Sequence, residues 1–254
     1  MTSGITTERD GHILIVTLDR PQVLNALDTP ACIELSRVWD LFVADDDLWV
    51  AIVTGTGRAF CAGHDLASNP EEPLPPTGWA GLARRDDIVK PMIAAVNGLA
   101  YGGGWELAMA CDIIVADEAA RFALSEPRVS FVALGGGADG IAARLPWHVA
   151  MGYALTGRPM AADEALRWGA VTEVAPAGTA LEVARRWAAM ILECAPLAVR
   201  ATKELALLAM RPSVSRAEVR DRSDSISLST AASADRREGL QAFAEKRAPR
   251  WTGR

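Results

Sequence analysis

The first two thirds of the chain alternate short apolar runs with amphipathic stretches, and the last third is helical in pattern throughout. Residues 12–18, HILIVTL, form a strand signal that pairs with Ile5–Glu8 across the Asp10-Gly11 turn. A structured loop, DRPQVLNALDTP, follows. Asp28 or Thr29 then caps a helix with Pro30 in its first turn, and Ile33, Val38 or Trp39, and Phe42 give that helix its apolar stripe. Leu48–Thr54, LWVAIVT, is almost continuously apolar, as expected of a strand covered on both faces. GTGRAFCAGHDL leads from it as a loop to a helix start near Asp65. Residues 68–78, SNPEEPLPPTG, carry four prolines and two acids and predict a surface loop or lid.

A helix over Leu82–Val89 is expected next, then the stretch Ile93 to Ala110, IAAVNGLAYGGGWELAMA: strand, glycine turn, buried helix. The run IIVA after Asp112 is another strand. Helices are expected at about 147–155, 161–168 and 178–193, with a short strand over Val171–Val174 between the last two. From Pro196 onward the pattern is helical, and Ser233 caps the final helix, ADRREGLQAFAEKR. Short strands alternating with helices imply right-handed crossovers and parallel strands, an α/β fold. This divides the chain into a core over 1–195 and a helical oligomerisation or lid region over 196–254.

Composition narrows the partners. In 254 residues, 50% are hydrophobic and 23% charged, ordinary for a globular protein with a substantial core. Net charge is −6, which argues against a nucleic-acid partner. Cys32, Cys61, Cys111 and Cys194 make no CxxC pair and have no His at ligand spacing, so a metal site is not expected and a reduced, cytoplasmic setting fits. The stretch MTSGITTERDGH holds no apolar run, so a secretory signal is not expected, and the Ile93 stretch is too rich in glycine, and holds Glu106, for a membrane span.

Familiar chemistry is mostly absent. GGGADG at 135–140 matches a dinucleotide fingerprint formally but does not open the first strand–helix unit. There is no P-loop and no GxSxG elbow, and His12, His64 and His148 are scattered. Two similar pieces remain. Ala62-Gly63-His64-Asp65-Leu66 and Gly102-Gly103-Gly104-Trp105-Glu106 are both glycine turns after a buried strand. Backbone N–H groups from two such turns can converge on one oxygen as an oxyanion hole. Glu106 is the one charged residue of its stretch; it is either a salt-bridged acid at the core rim or a working carboxylate. Glu126, in FALSEP, is followed by Pro127, so its backbone is expected to be extended. Alone it is a solvated loop acid; together the two acids suit acid–base chemistry beside a carbonyl.

Taken in order, RPQVLNALD at 20–28, GRAFCAGHDL at 57–66, KPMIAAVNGLAYGGGWELAMACDIIVA at 90–116, ARFALSEPRVSF at 120–131, LTGRPMAADEALRWGAV at 155–171 and EGLQAFAEKRAPRWTG at 238–253 resemble the crotonase superfamily, the enoyl-CoA hydratase/isomerase group, over essentially the whole chain. The resemblance implies a crotonase-like fold of stacked ββα units with a C-terminal helical region, assembled as a homotrimer or a dimer of trimers. It implies an acyl-CoA substrate, coenzyme A being part of the substrate and no separate cofactor being needed. It makes the main-chain N–H groups of His64 and Gly103 the oxyanion hole and Glu106 and Glu126 the acid–base pair of a hydratase. Substrate and CoA contacts carried over are the loop His64, Asp65, Leu66 and Ala67, with Ala26, Ala62 and Gly103. Lys246 and Arg247 either meet CoA phosphates, from a neighbouring subunit, or are cations at a helix C-terminus.

The activity so implied is reversible addition of water to a 2-enoyl-CoA in fatty-acid or related acyl-CoA metabolism. The alternatives are enoyl-CoA isomerisation, dehydration of a carnitinyl-CoA type of thioester, and a non-catalytic member binding acyl-CoA or RNA. The chain departs from the family at Ser130, where many members have Gly, and at Asp139, a third pocket acid or, as its position favours, a helix N-cap.

Overall fold

The computed structural model describes residues 3–68 and 72–254; residues 69–71 of the proline-rich stretch lie outside the described residues. Strands β1 (Ile5–Asp10) and β2 (Ile13–Leu18) form the expected antiparallel hairpin. Helix α1 (Thr29–Ala44) is capped by Asp28, whose side chain accepts the Ala31 N–H at 2.9 Å. Its buried face runs through Cys32, Leu35, Trp39 and Phe42, whereas Ile33, expected in the stripe, is 43% exposed. Then follow β3 (Val50–Gly55), β4 (Ala59–Cys61), β5 (Met92–Val96), β6 (Leu99–Tyr101), α2 (Gly103–Met109), β7 (Ile113–Asp117) and β8 (Arg121–Ala123). Helices α3 (Gly137–Arg144) and α4 (Trp147–Ala154) precede β9 (Met160–Ala161), α5 (Ala162–Arg167), β10 (Glu173–Ala175) and α6 (Ala180–Leu192). The chain ends in α7 (Pro196–Met210), α8 (Arg216–Ala231) and α9 (Ala234–Glu245), the last capped by Ser233 as expected.

Two sheets carry the core. The first has the order β1-β2-β3-β5-β7-β10 and is parallel from β2 onward. The second has the order β4-β6-β8-β9. Each of β3, β5 and β7 leads directly into a short strand of the second sheet, and β6 and β8 lead on towards a helix, so the ββα repeat of the crotonase-like fold is present. Side chains alternate across the first sheet. Val16, Val53, Ala94 and Ala116 face α1, α2 and the second sheet. Ile15, Ile52, Ile93 and Val115 face α6 through Val183, Ala184 and Ala188.

Four local expectations are corrected. The second sheet was not foreseen, because its strands AFC, LAY and RFA are too short to show a period. Residues 82–89 are a turn followed by irregular backbone rather than a helix. Ala80 and Gly81 enter the segment at positive φ (53° and 67°), and the Arg85 guanidinium ties it to Asp87 at 2.7 Å and to Asp40 of α1 at 2.5 Å. No helix starts at Asp65; its Oδ1 instead accepts the Ala67 N–H at 3.1 Å and closes a turn. Asp139 is not a cap: Gly136 holds the N-cap position of α3 and Asp139 lies in the first turn.

Candidate active site

Close backbone packing builds the centre. Gly63 has φ +95°, and a Cβ there would lie 3.0 Å from the Gly103 nitrogen; a Cβ on Gly104 would overlap the Cys61 carbonyl oxygen. Only glycines let the Cys61–Gly63 turn and the Gly102–Gly104 turn touch in this way. Gly103 is the first residue of α2, so its N–H has no partner within the helix. The isolated bridge between Leu27 and His64 uses the Gly63 carbonyl and the Asp65 N–H, which turns the His64 N–H away from Leu27. Neither the His64 nor the Gly103 N–H has an acceptor among the described residues.

Two carboxylates flank this turn. Glu106, on α2, is 6% exposed, and its Oε1 accepts the N–H groups of Gly135 (2.8 Å) and Gly137 (2.9 Å). Burial, foremost, and then the charge of Glu126 push its pKa up to about 7; the two N–H groups pull against this, and Asp139 adds to it. Glu126 was expected on extended backbone but opens a 3₁₀ turn over Glu126–Val129, because Pro127 fits the second position of such a turn. Its Oε1 lies 3.1 Å from where a Cβ of Gly102 would be, its Oε2 is buried with no partner among the described residues, and burial raises its pKa too. Ser130 ends this turn at φ +59°, which is the physical reason glycine suits that position.

The other predicted positions divide. Arg20 donates to the Ala26 carbonyl at 3.0 Å and pairs with Asp28 at 2.9 Å and with Asp65 at 3.1 Å. Ala62 donates its N–H to Leu24 at 3.0 Å. Ala26, Ala62, His64, Asp65 and Ala67 thus belong to one knot of loops, from which Leu66 projects, 81% exposed. Lys246 stands apart, exposed in the left-handed C-cap of α9, with no hydrogen bond to the site among the described residues. Arg247 is committed to Glu238, at 2.6 and 3.0 Å, and to Glu245 at 2.6 Å, which favours its reading as a helix-end cation.

Three contributors escaped the sequence. The glycines at 135 and 137 hold Glu106, although their run stood out only as a failed nucleotide motif. Arg20 lay inside a quoted motif with no role given to it. Trp79 packs its indole on Gly103, so that a Cβ there would meet Cζ2 and Cη2 at 2.5 Å; its one local signal was an aromatic side chain following the Pro-rich stretch. Among the described residues no group of His, Cys, Asp and Glu could hold a metal ion, and no helix is long and apolar enough to cross a membrane.

This fold and site define a protein of the enoyl-CoA hydratase/isomerase class, and the comparisons with known proteins agree. The model of the family described as enoyl-CoA hydratase/isomerase matches residues 8–254. A carnitinyl-CoA dehydratase of Salmonella typhi is 42% identical over 262 residues, covering all of both chains. The crystal structure of an enoyl-CoA hydratase from Mycobacterium tuberculosis superposes with a TM-score of 0.93 at 38% identity, and one from Mycobacterium marinum with 0.94 at 37%, each covering both chains completely. The chain belongs to the enoyl-CoA hydratase/isomerase family, as the resemblance in its motifs implied.

Proposed function

We propose that this enzyme adds water reversibly across the double bond of a 2-enoyl-CoA thioester. The observation that carries the reading is the pair Glu106 and Glu126 on either side of one glycine turn that offers the free N–H of Gly103. The thioester oxygen accepts the His64 and Gly103 N–H groups, which makes C3 electrophilic and lets charge collect on that oxygen. Each such donor typically contributes about 3–4 kcal/mol of transition-state stabilisation. The singly protonated pair reacts in the form that carries its proton on Glu126 rather than on the more strongly raised Glu106, and ionised Glu106 then takes a proton from water as the water oxygen bonds to C3. The displaced electron pair moves to the thioester oxygen, and as it returns Glu126, protonated and also holding the water, delivers its proton to C2. The pair regains its starting state by moving one proton from Glu106 to Glu126.

Dehydration of a 3-hydroxyacyl thioester is the same sequence reversed, which accommodates the dehydratase relatives. In this reading the loop from His64 to Ala67 holds the CoA portion, which the contacts of Arg20 with Asp65 and the backbone of Ala26 support by ordering that loop. The same reading includes a homotrimer, single or paired: Phe131, Val132 and Leu134 near the site and Leu240 and Phe243 on α9 are exposed in one chain and suit contact between copies. A panel of 2-enoyl-CoA, 3-enoyl-CoA and carnitinyl-CoA thioesters tests the function. Loss of the conjugated thioester absorbance with 2-enoyl-CoA supports hydration. Turnover of 3-enoyl-CoA alone would replace hydration by isomerisation.

A further inference from the structure

One polar group beside the catalytic pair takes no part in the steps above. Trp79 stands on a 3₁₀ turn, Trp79–Gly81, that is fixed to α1. The Ala80 carbonyl accepts Trp39 Nε1 at 3.1 Å, the Ala80 N–H meets Cys32 Sγ at 3.4 Å, and a Cβ on Gly81 would lie 2.5 Å from the Ser36 nitrogen. With its backbone held there, the indole is laid against Gly103. A Cβ on Gly103 would meet Cζ2 and Cη2 at 2.5 Å and Cε2 at 2.9 Å. Nε1 is bonded to Cε2, so the ring's N–H adjoins the part of the indole that lies against Gly103. That nitrogen is buried and has no partner among the described residues. Buried donors in folded proteins are nearly always paired, so an unpaired one at a binding site is a place for a ligand's acceptor.

We propose that Trp79 selects the acyl group, its ring edge walling the acyl pocket and its Nε1–H donating to an oxygen on C3 or C4 of the acyl chain. The inference rests on the reading that Gly103 binds the thioester oxygen: with C1 held there, an indole against the same residue reaches atoms two or three bonds further along. A short acyl group bearing a hydroxyl or carbonyl oxygen satisfies the donor. An unsubstituted chain of the same length leaves it unpaired, and a long chain meets the ring. Discrimination of this kind is large because the cost falls on the protein's own stranded donor.

The test is calorimetric binding to the full-length protein, which needs no turnover. Butanoyl-CoA, 4-hydroxybutanoyl-CoA and octanoyl-CoA are titrated into wild type, Trp79→Phe and Trp79→Leu. 3-Hydroxybutanoyl-CoA is titrated with Glu106→Gln added to each, so that it is not consumed, and is compared there with butanoyl-CoA. The expected result is that one hydroxylated ligand binds wild type about tenfold more tightly than butanoyl-CoA. In Trp79→Phe, which keeps a ring and loses the N–H, that ratio falls to near one while butanoyl-CoA binding changes little. Trp79→Leu also lacks the N–H and shows the same fall, so a Phe variant that fails to fold does not remove the test; its opened wall also strengthens octanoyl-CoA relative to butanoyl-CoA. The proposal is overturned by a wild type without preference, by a preference that survives both substitutions, or by equal weakening of every thioester, which would place the donor on the thioester oxygen or make the ring mere support. If wild type hydrates no 2-enoyl-CoA and yet the ratio collapses, the proposed function falls and this assignment stands.

Discussion

Gly137 donates its backbone N–H to Glu106 Oε1 at 2.9 Å across 31 residues of sequence, and Gly135 donates to the same oxygen at 2.8 Å. One oxygen is thereby anchored in either protonation state of the acid, and Oε2 keeps no partner among the described residues. Burial still dominates and holds the pKa near 7. The active form proposed carries one proton on the pair, so kcat/KM should fall as pH rises through about 7, where the pair loses its last proton. Hydration releases no net proton, so dehydration must show the same profile. Glu126→Gln removes the neighbouring charge and should lower the Glu106 pKa, read by carbon NMR titration of labelled glutamate.

The same shift has a stability consequence. Folding raises the Glu106 pKa from its ordinary 4.5, so its contribution is fully present below about 4.5 and is lost as pH rises through about 7. Glu106→Gln keeps an oxygen for the two glycine N–H groups and carries no charge. Near pH 8 it should be more stable than wild type by about 1–3 kcal/mol, and the gap should close in acid. Urea unfolding at the two pH values measures this.

The two glycines at the start of α2 should respond differently to alanine. At Gly104 the added carbon overlaps the Cys61 carbonyl, which is backbone and cannot swing aside. Gly104→Ala should therefore lose about 2–4 kcal/mol of stability in urea unfolding. At Gly103 the obstacle is the Trp79 ring, a side chain able to rotate. Gly103→Ala should fold while losing activity about a hundredfold or more.

Arg20 is a positioning residue for the CoA loop. Its guanidinium reaches Asp28, Asp65 and the Ala26 carbonyl with 20% side-chain exposure. Arg20→Ala should raise KM for the acyl-CoA about tenfold with a smaller change in kcat, because its contacts order the loop rather than the reacting carbons. Steady-state kinetics over a range of substrate concentration separate the two.

Legibility in the sequence followed the range of the interactions. Strands β2, β3 and β5 showed as apolar runs, and the Asp28 and Ser233 caps as local polar punctuation, since each depends on residues a few positions apart. Glu106 was visible because a lone carboxylate in an apolar stretch is conspicuous, whereas Glu126, on its own a solvated loop acid, was joined to it by the motif resemblance. What lay hidden depends on contacts between distant segments: the three-residue strands of the second sheet, the hold of Gly135 and Gly137 on Glu106, and the indole of Trp79 on Gly103. Asp139 was misplaced because GGGADG does not reveal which glycine begins α3; the helix starts one residue after Gly136, too early for Asp139 to cap it.

The most direct measurement of the central claim is the rate of water addition to 2-butenoyl-CoA by wild type, Glu106→Gln and Glu126→Gln, followed as loss of the conjugated thioester absorbance. Two carboxylates acting together at one oxyanion hole predict a competent wild type and a loss of roughly 10²–10⁴-fold in each variant, with thioester binding retained. Hydration that persists within a few-fold in either variant would contradict the account, since that acid would then lie outside the reaction.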